Sequence, residues 1–103
     1  MAFTNPTQGN PNASALRKQA GRYVKQLREA AELTQNELAQ RINWPYYTMI
    51  SQIESGRTRI PPDKIADYAK ALGVNQREFA KKLLSYYDPY MWVVLFGNEA
   101  QVD

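Results

Sequence analysis

The side chains able to do chemistry in this 103-residue chain are amides, hydroxyls and cations. Cysteine and histidine are absent, which removes disulfide frameworks, thiol nucleophiles, Cys/His zinc sites and imidazole proton transfer together. Asp, Glu, Lys and Tyr are scattered without a pocket signature, so the expectation is a non-enzyme with no catalytic residue, no metal site and no cofactor. What is left is recognition by hydrogen bonds and charge. The formal net charge of +3 is unevenly placed: residues 1–59 hold eight Lys/Arg against four Asp/Glu, and residues 60–103 hold five against six. Such asymmetry puts positive potential on one half of the molecule, as expected if that half faces a polyanion.

The length is that of one domain, and 44% apolar with 12% aromatic residues suffices for a compact interior. Mean hydropathy is −0.60. The longest apolar run, Met91 to Phe96, is six residues, against the ~20 that a membrane-spanning helix needs. The first residues carry neither a basic nor an apolar leader segment, so a cytoplasmic protein with no membrane partner is expected.

Periodicity predicts an all-α chain. Residues 1–13, uncharged and without apolar period, read as a flexible N-terminal arm. Ser14 can cap a helix whose apolar face is Leu16, Ala20, Val24, Leu27 and Ala31. Its other face carries Arg17, Lys18, Arg22, Lys25 and Arg28. Thr34 reads as the next N-cap, with Glu37 completing a capping box, and Leu38, Ala39 and Ile42 form the buried stripe. Asn43 tolerates the left-handed conformation that stops a helix, and Pro45 then pushes Trp44 out of the helical region, forcing a tight corner. A third helix is expected from about Tyr46 to Glu54, with Met49, Ile50 and Ile53 in the core and Gly56 past its end. Pro61 and Pro62 break the chain again. Asp63 to Leu72 and Asn75 to Tyr87 give helices four and five, the former stopped by Gly73.

The informative stretch is Thr34 to Gly56, TQNELAQRINWPYYTMISQIESG, two short helices joined by a turn too tight for an antiparallel pair. They must cross. Ala39 is small where the second helix presses on the first, and Ile50 is branched where it fills the angle between them. This is the steric signature of a helix-turn-helix, whose second helix projects its N-terminal residues toward a major groove.

Three blocks in order, LREAAELTQNELAQRI, ISQIESGR and IADYAKALGV, carry a resemblance to a known family. From Leu27 to Phe79 the chain resembles the lambda-repressor/Cro-like, or xenobiotic-response-element, helix-turn-helix regulators. It departs from their pattern at the turn, where Asn43 replaces the usual glycine and NWPYY is one residue longer than the commonest spacing. The resemblance implies a compact five-helix domain over 14–87 that binds double-stranded DNA. It also implies residue roles. Gln35, with Asn36, matches a phosphate-binding position at the start of the second helix, where backbone N–H groups and the helix dipole favour an anion. Tyr47, Thr48, Ser51 and Gln52 stand at the exposed first turns of the third helix as base contacts. Gln52 suits adenine N6 and N7, and Thr48 offers thymine a hydroxyl and a methyl. Tyr46 either reaches a phosphate or packs beneath Trp44. Arg57, Thr58 and Arg59 follow the recognition helix at phosphate-contact positions. Arg28 and Glu54 match a structural ion pair and are excluded from base contact.

The remaining segment, 88–103, is a C-terminal extension. Asp88-Pro89 signals a restart. Tyr90 to Phe96 is expected to form a short sixth helix ending at Gly97, with a strand as the competing reading because Trp92, Val93, Val94 and Phe96 favour that state. Tyr86, Tyr90, Trp92, Leu95 and Phe96 exceed what a five-helix core needs, and an exposed apolar patch marks an interface. The expectation is therefore a homodimer that represses transcription from a palindromic operator. The alternatives are an antitoxin-type or phage-encoded regulator that also holds a partner protein, and a protein-interaction module without DNA binding.

Overall fold

The computed structural model describes residues 12–101, and all regular structure in that span is helical. In order come α1 (Asn12–Ala30), α2 (Gln35–Arg41), α3 (Thr48–Ser55), a 3-10 turn (Pro62–Lys64), α4 (Ile65–Leu72), α5 (Gln76–Tyr87) and α6 (Pro89–Gln101). The first five helices form the compact domain, and α6 is its extension.

Local chemistry sets the ends of these helices. The Thr34 hydroxyl accepts from the Glu37 N–H at 3.0 Å, and the Glu37 carboxylate accepts from the Thr34 N–H at 2.8 Å. This reciprocal pair starts α2 and holds the Glu37 carboxyl below the usual carboxylate range, chiefly through the Thr34 backbone bond. Asn43 stands at φ 62° just past α2, and the Trp44 N–H returns to the Ala39 carbonyl at 2.9 Å. Asn75 caps α5 by accepting from the Glu78 N–H at 2.9 Å.

Helix α1 packs across α3 and α5, α2 lies against α3 and α4, and α5 contacts α1, α4 and α6. Val24, Leu38, Ile50, Ile53, Ile60, Tyr68, Phe79 and Leu83 are sealed in the centre. An aromatic column runs through it: Tyr23 stacks on Phe79, Phe79 on Tyr68, and Trp44 meets Tyr68 edge-on. Offset and edge-on arrangements suit the ring quadrupoles. Burial pushes the Tyr68 hydroxyl far above its ordinary pKa.

Several boundaries differ from the sequence expectation. Asn12 to Ser14 are already helical within α1, so Ser14 does not mark its start; Ala13 and Ala15 are strong helix formers on both sides of the serine. The expected N-terminal arm, apart from Asn12 and Ala13, lies outside the described residues. Helix α3 begins at Thr48, not Tyr46. The corner forced by Pro45 keeps Tyr46 out of the helix, with 73% of its surface exposed, so it does not pack beneath Trp44. Met49, expected in the core, is exposed. One residue of helix rotates its direction by about 100° from the inward-facing Ile50. The first turn of helix four tightens into the 3-10 turn at Pro62–Lys64.

The extension is helical, and it continues through Gly97 instead of ending there. A mid-helix glycine costs about 1 kcal/mol relative to alanine, too little to stop a helix by itself. Trp92 and Phe96, one turn apart, meet at 6.1 Å between ring centroids and support it. Asp88 alone interrupts the path from α5 to α6. Its N–H donates to the Leu84 carbonyl at 2.8 Å, and its own carbonyl accepts from Trp92 at 2.9 Å.

Candidate nucleic-acid interface

The α2–α3 pair presents its tip to solvent because its base is clamped from behind. Arg28 of α1 donates twice to the Glu54 carboxylate, Nε to Oε2 at 2.7 Å and Nη2 to Oε1 at 3.0 Å. Its remaining Nη1 donates to the Leu33 carbonyl at 2.7 Å. The two side chains are 10% and 4% exposed, so this is a nearly dry, bidentate pair that joins α1, the α1–α2 turn and the end of α3. The hydrogen bond to Glu54 raises the already high pKa of Arg28.

Gln35 enters the same cluster, its Nε2 donating to Glu54 Oε1 at 3.0 Å. A carboxamide nitrogen carries two N–H groups. One is committed to Glu54, which fixes the side chain at the first turn of α2 and leaves the second for an incoming acceptor. Asn36, beside it, is exposed.

The seat of α3 on α1 depends on two glycines. At Gly21 the backbones of α1 and α3 are in direct contact. A Cβ there would overlap the Glu54 carbonyl oxygen and lie 2.7 Å from the Glu54 carbonyl carbon and 2.8 Å from the Ile53 oxygen. Gly56 ends α3 at φ 83° and passes the Lys18 backbone so closely that a Cβ would come within 2.7 Å of it. The Arg17 Nε donates to the Gly56 carbonyl at 3.2 Å. Sequence reasoning missed Gly21, although a lone glycine inside a helical pattern signals a packing constraint.

With α3 so held, Tyr47 and Thr48 are exposed at its first turn, and Ser51 and Gln52 are half-buried one turn further on. Tyr46 and Met49 flank them, exposed. Beyond α3, Arg57 is exposed and Thr58 half-buried, and both backbone N–H groups return to the Gln52 carbonyl, at 3.0 and 3.4 Å. The expected contact residues are thus spread along the pair: Tyr46 and Tyr47 precede α3, Thr48, Ser51 and Gln52 stand on it, Arg57 follows it, and Gln35, in the first turn of α2, is tied to Glu54 in the last turn of α3.

Arg59 is differently placed. Its guanidinium donates to Asp88 Oδ2 at 2.7 Å and lies 4.7 Å over the Tyr87 ring, whose hydroxyl accepts from the Ile60 N–H at 3.2 Å. The Asp88 carboxylate is thus turned to Arg59. Because the pair is more than two-fifths exposed, it adds less than about 1 kcal/mol to folding. Asp88→Asn is accordingly expected to leave the melting midpoint nearly unchanged. By freeing one cation, it should tighten binding to mixed-sequence duplex and steepen the dependence of log K on log salt by about one unit. A salt titration by fluorescence anisotropy checks this, and an unchanged slope contradicts it.

Among the described residues no group of acidic side chains is arranged to hold a metal ion, and no helix is long and apolar enough to cross a membrane. The helix-turn-helix domain family matches residues 19–81. That span is more than half of the chain, and the chain belongs to this family of DNA-binding domains. No curated protein matches it.

Proposed function

We infer that the chain is a sequence-specific transcriptional regulator that binds double-stranded DNA, more specifically a repressor that occupies a palindromic operator as a homodimer and blocks polymerase. The observation that carries the reading is the solvent-facing side of α3, with Tyr47 and Thr48 exposed and Ser51 and Gln52 half-buried, on a helix whose last turn is held by the Arg28–Glu54–Gln35 cluster. In this reading Tyr47, Thr48, Ser51 and Gln52 contact base edges. Gln35, Asn36, Tyr46, Arg57 and Thr58 hold phosphates, joined by Arg59 once Asp88 releases it. Gln52→Ala is expected to relax base preference, losing about 1–3 kcal/mol on a selected duplex and little on a scrambled one. Arg57→Ala weakens both alike and reduces the salt slope by about one unit. Mobility shifts on the two duplexes separate these effects, and equal losses for Gln52→Ala contradict the assignment.

A single helix-turn-helix spans few base pairs, so a twofold pair reading half-sites about 34 Å apart is the usual solution. Helix α6 supports such pairing. Of the five candidates, Tyr90 and Leu95 are exposed, while Trp92 and Phe96 are half-buried and Tyr86 packs beside Tyr23. Met91, Val93 and Val94, which were not among the expected interface residues, add to the exposed apolar surface. Val94→Asp, at a position 80% exposed, is expected to leave the fold intact and give a monomer by size exclusion with light scattering. An unchanged dimer rejects α6 as the joint. The same surface is what favours a second reading, a regulator of antitoxin or phage type that holds a partner protein on α6.

A further inference from the structure

The turn and the recognition helix enclose an apolar cleft of about 360 Å³ lined by Trp44, Pro45, Tyr46, Thr48, Met49 and Gln52. It is open to solvent, and two of its walls, Thr48 and Gln52, are residues of the proposed base-reading tip. Met49, on the exposed flank of α3, and Tyr46, carried outward by the Pro45 corner, belong to its lining. A polar reading surface thus has a hydrophobic notch set into it. The position is continuous with the DNA face of the helix-turn-helix, so the occupant is sought in the major groove. There the projecting apolar group of an unmodified duplex is the C5 methyl of thymine. Base faces are stacked within the duplex and cannot enter.

We propose that this cleft is a thymine-methyl subsite and that Met49 is its specificity-determining residue. The proposal rests on the DNA-binding reading above and deepens it. Its chemistry is complementary to one base pair: an A·T pair shows the groove a donor and acceptor on adenine and, beside them, the methyl on thymine. The Gln52 carboxamide supplies the matching acceptor and donor at the edge of the cleft, and the Trp44–Met49 pocket supplies the apolar contact. The polarizable, unbranched Met49 side chain adapts to the methyl without a fixed shape. The operator half-site therefore contains an A·T pair at the position facing Gln52, read on both of its bases.

The test uses the full chain and a duplex enriched by it from a random-sequence library, resynthesised with deoxyuridine replacing thymidine at one position at a time. Removing one buried methyl is expected to weaken binding about fourfold at the contacted position, the equivalent of ~0.8 kcal/mol, and by much less elsewhere. Met49→Ala is expected to bind the thymine and uracil duplexes equally, whereas Met49→Leu keeps the preference. Because Met49 is exposed, neither substitution threatens the fold, and a thermal melt of each variant verifies that. If the wild-type protein binds every uracil duplex as tightly as the thymine one, the subsite is overturned while the DNA-binding reading stands. If Met49→Ala discriminates as strongly as the wild type, the methyl lies elsewhere and the cleft assignment is overturned. If the library yields no enriched duplex and the chain binds no duplex at low salt, the DNA-binding reading fails and the subsite with it.

Discussion

Gly21→Ala is expected to destabilise the domain by about 3 kcal/mol or more, at the top of the range for overpacked sites. The added methyl would meet backbone, the carbonyl groups of Glu54 and Ile53, and backbone cannot move aside as the end of a flexible side chain can. Alanine is otherwise the better helix former by about 1 kcal/mol, so propensity alone predicts stabilisation. The two effects have opposite signs and the steric one is larger. Relief requires α3 to lift from α1, which also pulls Glu54 away from Arg28. Urea denaturation followed by circular dichroism measures the outcome. A variant as stable as the wild type would mean that α1 and α3 are not in backbone contact at this point.

The second large effect is expected at Glu54. Glu54→Ala leaves the Arg28 guanidinium buried without its carboxylate and removes the acceptor that orients Gln35, at an expected cost of about 3–5 kcal/mol. The cost comes from stranding a charge, not from the net strength of the pair. A double replacement, Arg28→Met with Glu54→Leu, is therefore expected to recover most of the lost stability, since buried pairs exchanged for apolar residues of similar volume are often no less stable. Chemical denaturation of the wild type, the single variant and the double variant reads both statements. The double variant is expected to bind DNA more weakly despite its restored fold, because Gln35 loses the oxygen that positions it. A double variant no more stable than Glu54→Ala would contradict the stranded-charge explanation.

The helical course of the chain was legible where local chemistry and hydrophobic period agree. Thr34 and Glu37 announce α2, Asn43 and Pro45 announce the corner, and Gly56 and Gly73 close α3 and α4 in the left-handed conformation. Three features were not legible, each for a physical reason. The start of α3 depends on how many residues the Pro45 corner consumes before the chain re-enters helical dihedrals, and the pattern of apolar residues does not count them. That miscount also placed Met49 inside and allowed Tyr46 a place under Trp44, whereas both line the cleft. The length of α6 was underread because Gly97 looks like a stop, although its backbone stays helical and Val93 packs beside it. The long-range pairings of Gln35 with Glu54 and of Arg59 with Asp88 join residues 19 and 29 positions apart. They follow from the packing of helices that no single stretch of sequence encodes.

The site was more legible than its energetics. The elements that carry the expected contact residues stand close to where their sequence positions suggest, Gln35 and Asn36 in the first turn of α2 and Thr48, Ser51 and Gln52 on α3, because a helix-turn-helix is a local unit. Which of those residues are already engaged by the protein itself required coordinates. Gln35 donates to Glu54 while keeping one N–H, and Arg59 is shared between Asp88 and the Tyr87 ring.

The central claim is that the tip of α3 meets the edge of a duplex. Its most direct test is an NMR titration of the isotopically labelled chain with the library-selected duplex at moderate salt, following every backbone amide. The account predicts that the largest shifts fall at Gln35 and Asn36, at residues 46–52 and at Arg57 and Thr58, with α4 unmoved. Shifts confined to α6, or none at the tip as duplex is added at low salt, would contradict it.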